Sequence, residues 1–226
     1  MPSYWSCLEF HLVLDVASGL VEVWQDRKNI ITFTGRTRSS SYNQVGGVRI
    51  GLRRFSTGGT TTYSHTETLT FDDFALNDTT GTLNNSRIGQ GGIYPLFPIA
   101  DTADKDFTRS AGSDNYLLVN SVPPDDDTTY VQDGVLGDRD LYSIQSLNGQ
   151  GQIDVVTVLT RMKSVGGSGA KGAPTILSGG SMSVGSQGQF GTTYAYHSQT
   201  WEQDPKTSAP WSYTAIASLQ IGVTVQ

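Results

Sequence analysis

Cys7-Leu-Glu-Phe-His-Leu-Val-Leu14, Leu20-Val-Glu-Val-Trp-Gln25 and Ile30-Ile-Thr-Phe-Thr34 decide the fold class. In the first run Leu8, Phe10 and Leu12 share one parity, with Glu9 and His11 on the other. In the second, Val21 and Val23 alternate with Glu22. A period of two is the pattern of a strand with two unlike faces. Asp15-Val-Ala-Ser-Gly19 and Asp26-Arg-Lys-Asn29 supply turn chemistry between the runs, so the three read as an antiparallel meander.

Composition extends that reading to the whole chain of 226 residues, which holds 26 Gly, 26 Thr and 24 Ser. Only four Glu and five Lys stand against 17 Asp, so straight-chain helix formers are scarce. The expected class is all-β with many turns, and 36% apolar content argues against wholesale disorder. Further strands are expected over 45–52, 69–76, 152–162, 175–184, 190–201 and 221–225. Gly46-Gly47 would mark a bulge, and Ser56–Thr66 a Gly/Thr/Ser-rich loop. One short helix is expected over Trp211–Leu219, with Ser212 as N-cap and Tyr213, Ile216 and Leu219 as its buried stripe. After Pro98 the chain turns Asp-rich, which places a domain boundary near 110, giving domains 1–110 and 111–226.

Several function classes drop out. The single Cys7 excludes an internal disulfide and Cys-based metal or CxxC redox sites. His11, His65 and His197 form no HxH or HExxH spacing, and no GxSxG, Walker or GxGxxG pattern stands in a strand–helix context. No apolar run reaches the roughly 18–20 residues of a membrane-spanning helix. The first residues lack a basic stretch followed by an apolar one, so no signal peptide is expected. Asp72 and Asp73 are adjacent and point to opposite faces of a strand, which does not suit a pair of glycosidase carboxyls.

The net charge of −6 is unevenly spread. Arg27 to Arg54 holds seven basic residues and no acid, while Asp101 to Asp140 holds ten Asp against three basic residues. The acidic total and the lack of aromatics among the arginines argue against nucleic acid. The two segments are expected to contact surfaces of opposite sign, within one chain or head to tail between copies. Arg36, Arg38, Arg53 and Arg54 on one side, and Asp125, Asp126 and Asp127 on the other, are the candidate contact residues. No cofactor is expected beyond calcium, whose oxygen ligands could come from Asp72, Asp73, Asn77 and Asp78.

Leu8 to Leu76 resembles the second half of a laminin-G-like, concanavalin-type jelly roll. The motifs are EFHLVLDVASGLVEVWQD, then VRIGL, then the paired acids of Phe71-Asp-Asp-Phe74. FDDFALNDTTGTLNN, YPLFPIAD, GSDNYLLVN, DDDTTYV and AIASLQIGV extend the likeness across 8–226. As a set they resemble structural proteins of tailed bacteriophages. The resemblance implies a partial jelly roll followed by a second β-rich domain. It also implies a non-enzymatic virion component, in capsid decoration or in the tail or fibre, held by contacts with other virion proteins or with copies of itself. The alternative it leaves open is a lectin-like glycan-binding module. Half of a sandwich would expose a sheet face and open edges, so the missing strands are expected from another polypeptide, from a neighbour that completes a trimmed fold, or from residues upstream of the given start.

Overall fold

The computed structural model describes residues 5–41, 44–50, 70–80, 83–149, 151–167 and 169–226. The chain divides into two compact units, one of residues 1–79 and 85–93, the other of 80–84 and 94–226. The division thus precedes Tyr94, whereas the change in composition marks the Asp-rich loops that follow. The strand Pro98–Lys105 carries the first of those Asp residues and belongs to the second unit.

The first unit contains the expected meander. Strands β1 (Leu8–Val13), β2 (Gly19–Gln25) and β3 (Lys28–Gly35) form a three-stranded antiparallel sheet in the order β1-β2-β3. The β2–β3 turn is tight because Asp26 and Arg27 both take positive φ, 49° and 69°. Asp26 secures it by accepting hydrogen bonds from the Cys7 backbone N–H and the Ser6 hydroxyl, both at 2.9 Å. At the other end the Thr37 hydroxyl donates to the Val13 carbonyl at 2.6 Å and accepts from the Asp15 N–H at 2.9 Å.

Two expected strands are absent among the described residues. Val45–Ile50 and Thr70–Leu76 make no ladder, so the described part of this unit is a single sheet rather than a sandwich. Strand propensity is realised only against a neighbour. The second run is also interrupted, because Asp73 sits at φ 54°. The expected loop at Ser56–Thr66 lies outside the described residues.

The second unit is also β. Its strands are β4 (Pro98–Lys105), β5 (Thr108–Arg109), β6 (Val131–Gln132), β7 (Arg139–Ile144), β8 (Val156–Met162), β9 (Ala170–Ser178), β10 (Ser181–Val184), β11 (Gly188–Phe190) and β12 (Ala195–Trp201). Helix α1 (Tyr213–Ala217) and strand β13 (Gln220–Val225) close it. The main sheet runs β10-β9-β13-β7-β4, with β11 also pairing to β9. A β8–β12 ribbon and a short β5–β6 pair stand apart from it. The run 175–184 is a hairpin rather than one strand, since Gly179 and Gly180 both take positive φ, 52° and 90°. The run 190–201 is likewise interrupted between β11 and β12.

This unit has a true core. Val158, Ile176, Trp211, Ile216 and Leu219 are all at most 5% exposed, with Ile153, Trp201 and Ile221 packed against them. The Ser212 hydroxyl accepts from the Ala215 N–H at 3.1 Å, the N-cap that its sequence position called for. The Trp211 indole donates to the Trp201 carbonyl at 2.9 Å, tying the helix entry to the ribbon.

Candidate interaction surfaces

The two faces of the β1–β3 sheet follow from the register. Phe10 pairs with Val23, and Val23 with Ile31; Leu12 pairs with Val21, and Val21 with Phe33. Side chains directly opposite one another share a face. One face is therefore apolar, and its outer residues stay exposed, with Phe10 at 74% and Ile31 at 51%. Val23 is the one apolar side chain of the first unit that is buried among the described residues.

The opposite face is polar and partly covered. His11 and Glu22 meet at 2.9 Å, and Glu9 lies beside them opposite Trp24. Arg87 reaches across this face. Its guanidinium lies 4.1 Å from the centre of the Trp24 ring and donates to Glu9 at 2.9 Å. Glu9 Oε1 and Trp24 Nε1 are buried with no hydrogen-bond partner. Among the described residues the polar face is thus the one that Arg87 covers, and the outer residues of the apolar face stay exposed.

The candidate calcium ligands are engaged separately. Asp72 accepts from the Asp73 N–H at 2.9 Å, Asp73 accepts from the Ile93 N–H at 2.7 Å, and Asn77 donates to the Ser86 carbonyl at 2.7 Å. Asp78 also has an interaction partner. Among the described residues no group of three or more His, Cys, Asp or Glu is placed to hold a metal ion. Asp72, Asp73 and Asp78 thus form no such group.

Among the described residues each charged candidate has a partner close by. Arg36 donates from Nε to the Arg38 carbonyl at 3.0 Å, and Arg38 donates to the Ser39 carbonyl at 3.3 Å. Arg53 and Arg54 lie outside the described residues. Asp126 receives both arms of Arg161, at 2.6 and 2.8 Å, and Lys163 pairs with Asp127. Asp125 accepts from the Thr129 hydroxyl at 2.8 Å. The Arg161 guanidinium also lies 5.3 and 4.9 Å from the ring centres of Tyr194 and Tyr196. The bidentate contact with Arg161 holds the Asp126 carboxyl below its usual range. Desolvation, and then Asp127, push the Tyr194 phenol up to about 12. The acidic triplet is thus latched to the β8–β12 ribbon.

A second cluster escaped the sequence reading because its members lie far apart in the chain. Asp140 is 1% exposed and accepts at one oxygen from Asn115 at 2.6 Å and from the Tyr142 hydroxyl at 2.7 Å. Its other oxygen is buried without a partner. Burial pushes the Asp140 carboxyl up and the Tyr142 phenol up as well. Asp101, beside it, is paired with Lys105 and accepts from the Asn115 and Tyr116 N–H groups at 2.9 and 2.7 Å. Desolvation opposes these contacts, yet they hold Asp101 below the usual carboxylate range. The network pins the 3-10 turn Tyr116–Leu118 to the sheet through Asp101 and Asn115.

Of the four tryptophans, Trp211 is 5% exposed, Trp201 donates to the Ser183 hydroxyl at 2.9 Å, and Trp24 lies under Arg87. Trp5 is exposed. No family model, curated protein or solved structure matches the chain.

Proposed function

We propose that this chain is a non-enzymatic structural subunit of a tailed-bacteriophage virion, in capsid decoration or in the tail or fibre apparatus, working through repeated contacts with other virion proteins or with copies of itself. One observation carries the assembly part of this reading. The first unit exposes Leu8, Phe10, Leu12, Ile31 and Phe33 while burying Val23 as its single apolar side chain among the described residues. A free soluble domain rarely leaves so large a contiguous apolar area in water. The same sheet suits a partial jelly roll whose second layer comes from a neighbouring subunit.

The carboxylates and histidines support a structural role. His11 is hydrogen-bonded to Glu22 at 2.9 Å, Glu9 is paired with Arg87, and His197 is hydrogen-bonded to the Ser186 carbonyl at 2.8 Å. Ser and Thr hydroxyls such as those of Thr157, Thr200, Thr175 and Thr224 bond to one another across strands. The virion assignment rests on the sequence motifs FDDFALNDTTGTLNN, YPLFPIAD and AIASLQIGV taken together. Low charge density and abundant Thr, Ser and Tyr suit wide, wet contacts, in which many copies hold by avidity.

Mass spectrometry of purified virions from a phage encoding the chain tests the assignment. Detection of the chain in the particle is the expected result, and absence from the particle contradicts it. A glycan array run alongside separates the lectin-like alternative, which requires sugar-selective binding at low copy number.

A further inference from the structure

We propose that Asn148 is a self-modifying residue, whose side-chain amide converts without an enzyme to aspartate and isoaspartate through a cyclic imide formed with the Gly149 backbone nitrogen. The inference stands apart from the virion reading and holds whatever the chain assembles with.

The first support is the pair itself. Asn148-Gly149 is the one Asn-Gly step in the sequence. Ring closure brings the backbone nitrogen of the following residue onto the Asn Cγ. Glycine has no Cβ to obstruct that approach, and its backbone reaches the bent conformations that closure needs.

The second support is the surroundings. Asn148 and Gly149 are exposed and follow β7 outside any helix or strand. Among the described residues neither the Asn148 amide nor the Gly149 N–H has a hydrogen-bond partner. Other asparagines are held. Asn115 is fully buried and donates to Asp140 at 2.6 Å and to the Phe107 carbonyl at 3.0 Å. Asn77 and Asn84 donate to the Ser86 and Asp154 carbonyls, each at 2.7 Å. The one Asp-Gly step, Asp133-Gly134, has the same ring open to it, but Asp133 accepts from the Val135 N–H at 2.6 Å.

The reaction balances with water as its only co-reactant. Water or hydroxide takes the Gly149 N–H proton, and the nitrogen bonds to the Asn148 Cγ. The Cγ–Nδ2 bond breaks, and the amide nitrogen takes up a proton and leaves as ammonia. Because nucleophile and electrophile are neighbours in one chain, their encounter costs little entropy. Water then opens the ring. Breaking the imide bond to Cγ gives aspartate. Breaking the bond to the Asn148 main-chain carbonyl carbon gives isoaspartate, in which the backbone runs through Cγ. Nothing is oxidised or reduced.

The product alters a defined surface. Asn148 lines a shallow groove with Tyr94, Leu96, Ile99 and Leu147, and none of the described residues lining it is charged. Leu147 packs against the core of the second unit, so the new carboxylate is fixed at the groove rim. Gly149 itself tolerates a side chain. A Cβ there would meet the Tyr213 hydroxyl at 3.4 Å, an ordinary contact, and its φ is not positive.

Peptide mapping of the folded full chain, after days to weeks in mildly alkaline buffer, is the test. The peptide carrying Asn148 is expected to split into three species: the original, an aspartate form and an isoaspartate form. Both new forms carry a hydroxyl in place of an amino group, and chromatography separates them. The peptides carrying Asn77, Asn84 and Asn115 should stay unmodified over the same period. Gly149→Ala should slow the conversion at least about tenfold and keep the wild-type melting temperature. Asn148→Gln, which must close a larger ring, should slow it as much. An Asn148 that stays intact in the folded chain would overturn the proposal. So would aspartate as the sole product, or a Gly149→Ala chain that converts as fast as the wild type.

Discussion

Phe10 stands directly opposite Val23 across the β1–β2 ladder, yet Val23 is 9% exposed and Phe10 74%. Val23 is shielded because it occupies the middle strand, with Phe10 on one side and Ile31 on the other. Phe10 and Ile31, on the outer strands, stay exposed. In the second unit, by contrast, Ile176 is fully buried under Trp211, Ile216 and Leu219. Ile176→Ala should therefore cost the second unit about 3 kcal/mol. Val23→Ala should cost the isolated chain about 1 kcal/mol or less, because water already reaches the rim of that site. Denaturant melts monitored separately for the two units check the contrast.

Arg161 gathers three side chains, those of Asp126, Tyr194 and Tyr196, and its substitution should show it. Arg161→Ala removes the bidentate contact to Asp126 and both ring contacts, freeing the loop that carries Asp125 to Asp127. Arg161→Lys should fail to restore it, since an ammonium supplies neither the planar fork nor the stacking surface. Hydrogen exchange over residues 124–130 should rise in both variants, with the main-sheet strands β7, β9 and β13 unaffected.

Asp140 gives a pH dependence of definite sign. Its folded carboxyl titrates above the unfolded value, so the folded state favours the protonated form. The penalty is absent at acid pH and grows as pH rises from the unfolded value through the raised one. Asp101, held low, works in the opposite direction and loses its contribution as pH falls. Asp140→Asn removes only the first effect. Its melting temperature relative to wild type should therefore climb between about pH 4 and pH 7. A constant difference across that range would contradict the assignment.

Gly222 lies in the central strand β13, where a Cβ would strike the Asp140 backbone carbonyl of β7. The obstacle is backbone, so no side-chain rotation relieves it. Gly222→Ala should destabilise the second unit by about 3 kcal/mol, read from its melting curve.

The alternation of Leu8, Phe10 and Leu12 with Glu9 and His11 made the first sheet legible, and the Ser212 cap made α1 legible, because both signals are local. Residues 45–50 and 70–76 carry strand-like side chains but no ladder, for a strand also needs a neighbour, which local sequence does not specify. The same limit hid the Asp101–Asn115–Asp140 network, whose members are brought together only by the pairing of β4 with β7. The acidic triplet was visible as charge, whereas its partners Arg161 and Lys163 were not, since they lie 35 and 36 residues further along.

Hydrogen–deuterium exchange of β1, β2 and β3 as a function of total protein concentration asks most simply whether the first unit is sealed by other chains. Protection of Phe10, Val23 and Ile31 amides should increase as the concentration rises through the association range, while Ile176 and Leu141 stay protected throughout. Slow exchange in β1–β3 that is already complete in a dilute monomer, unchanged by concentration, would contradict the account.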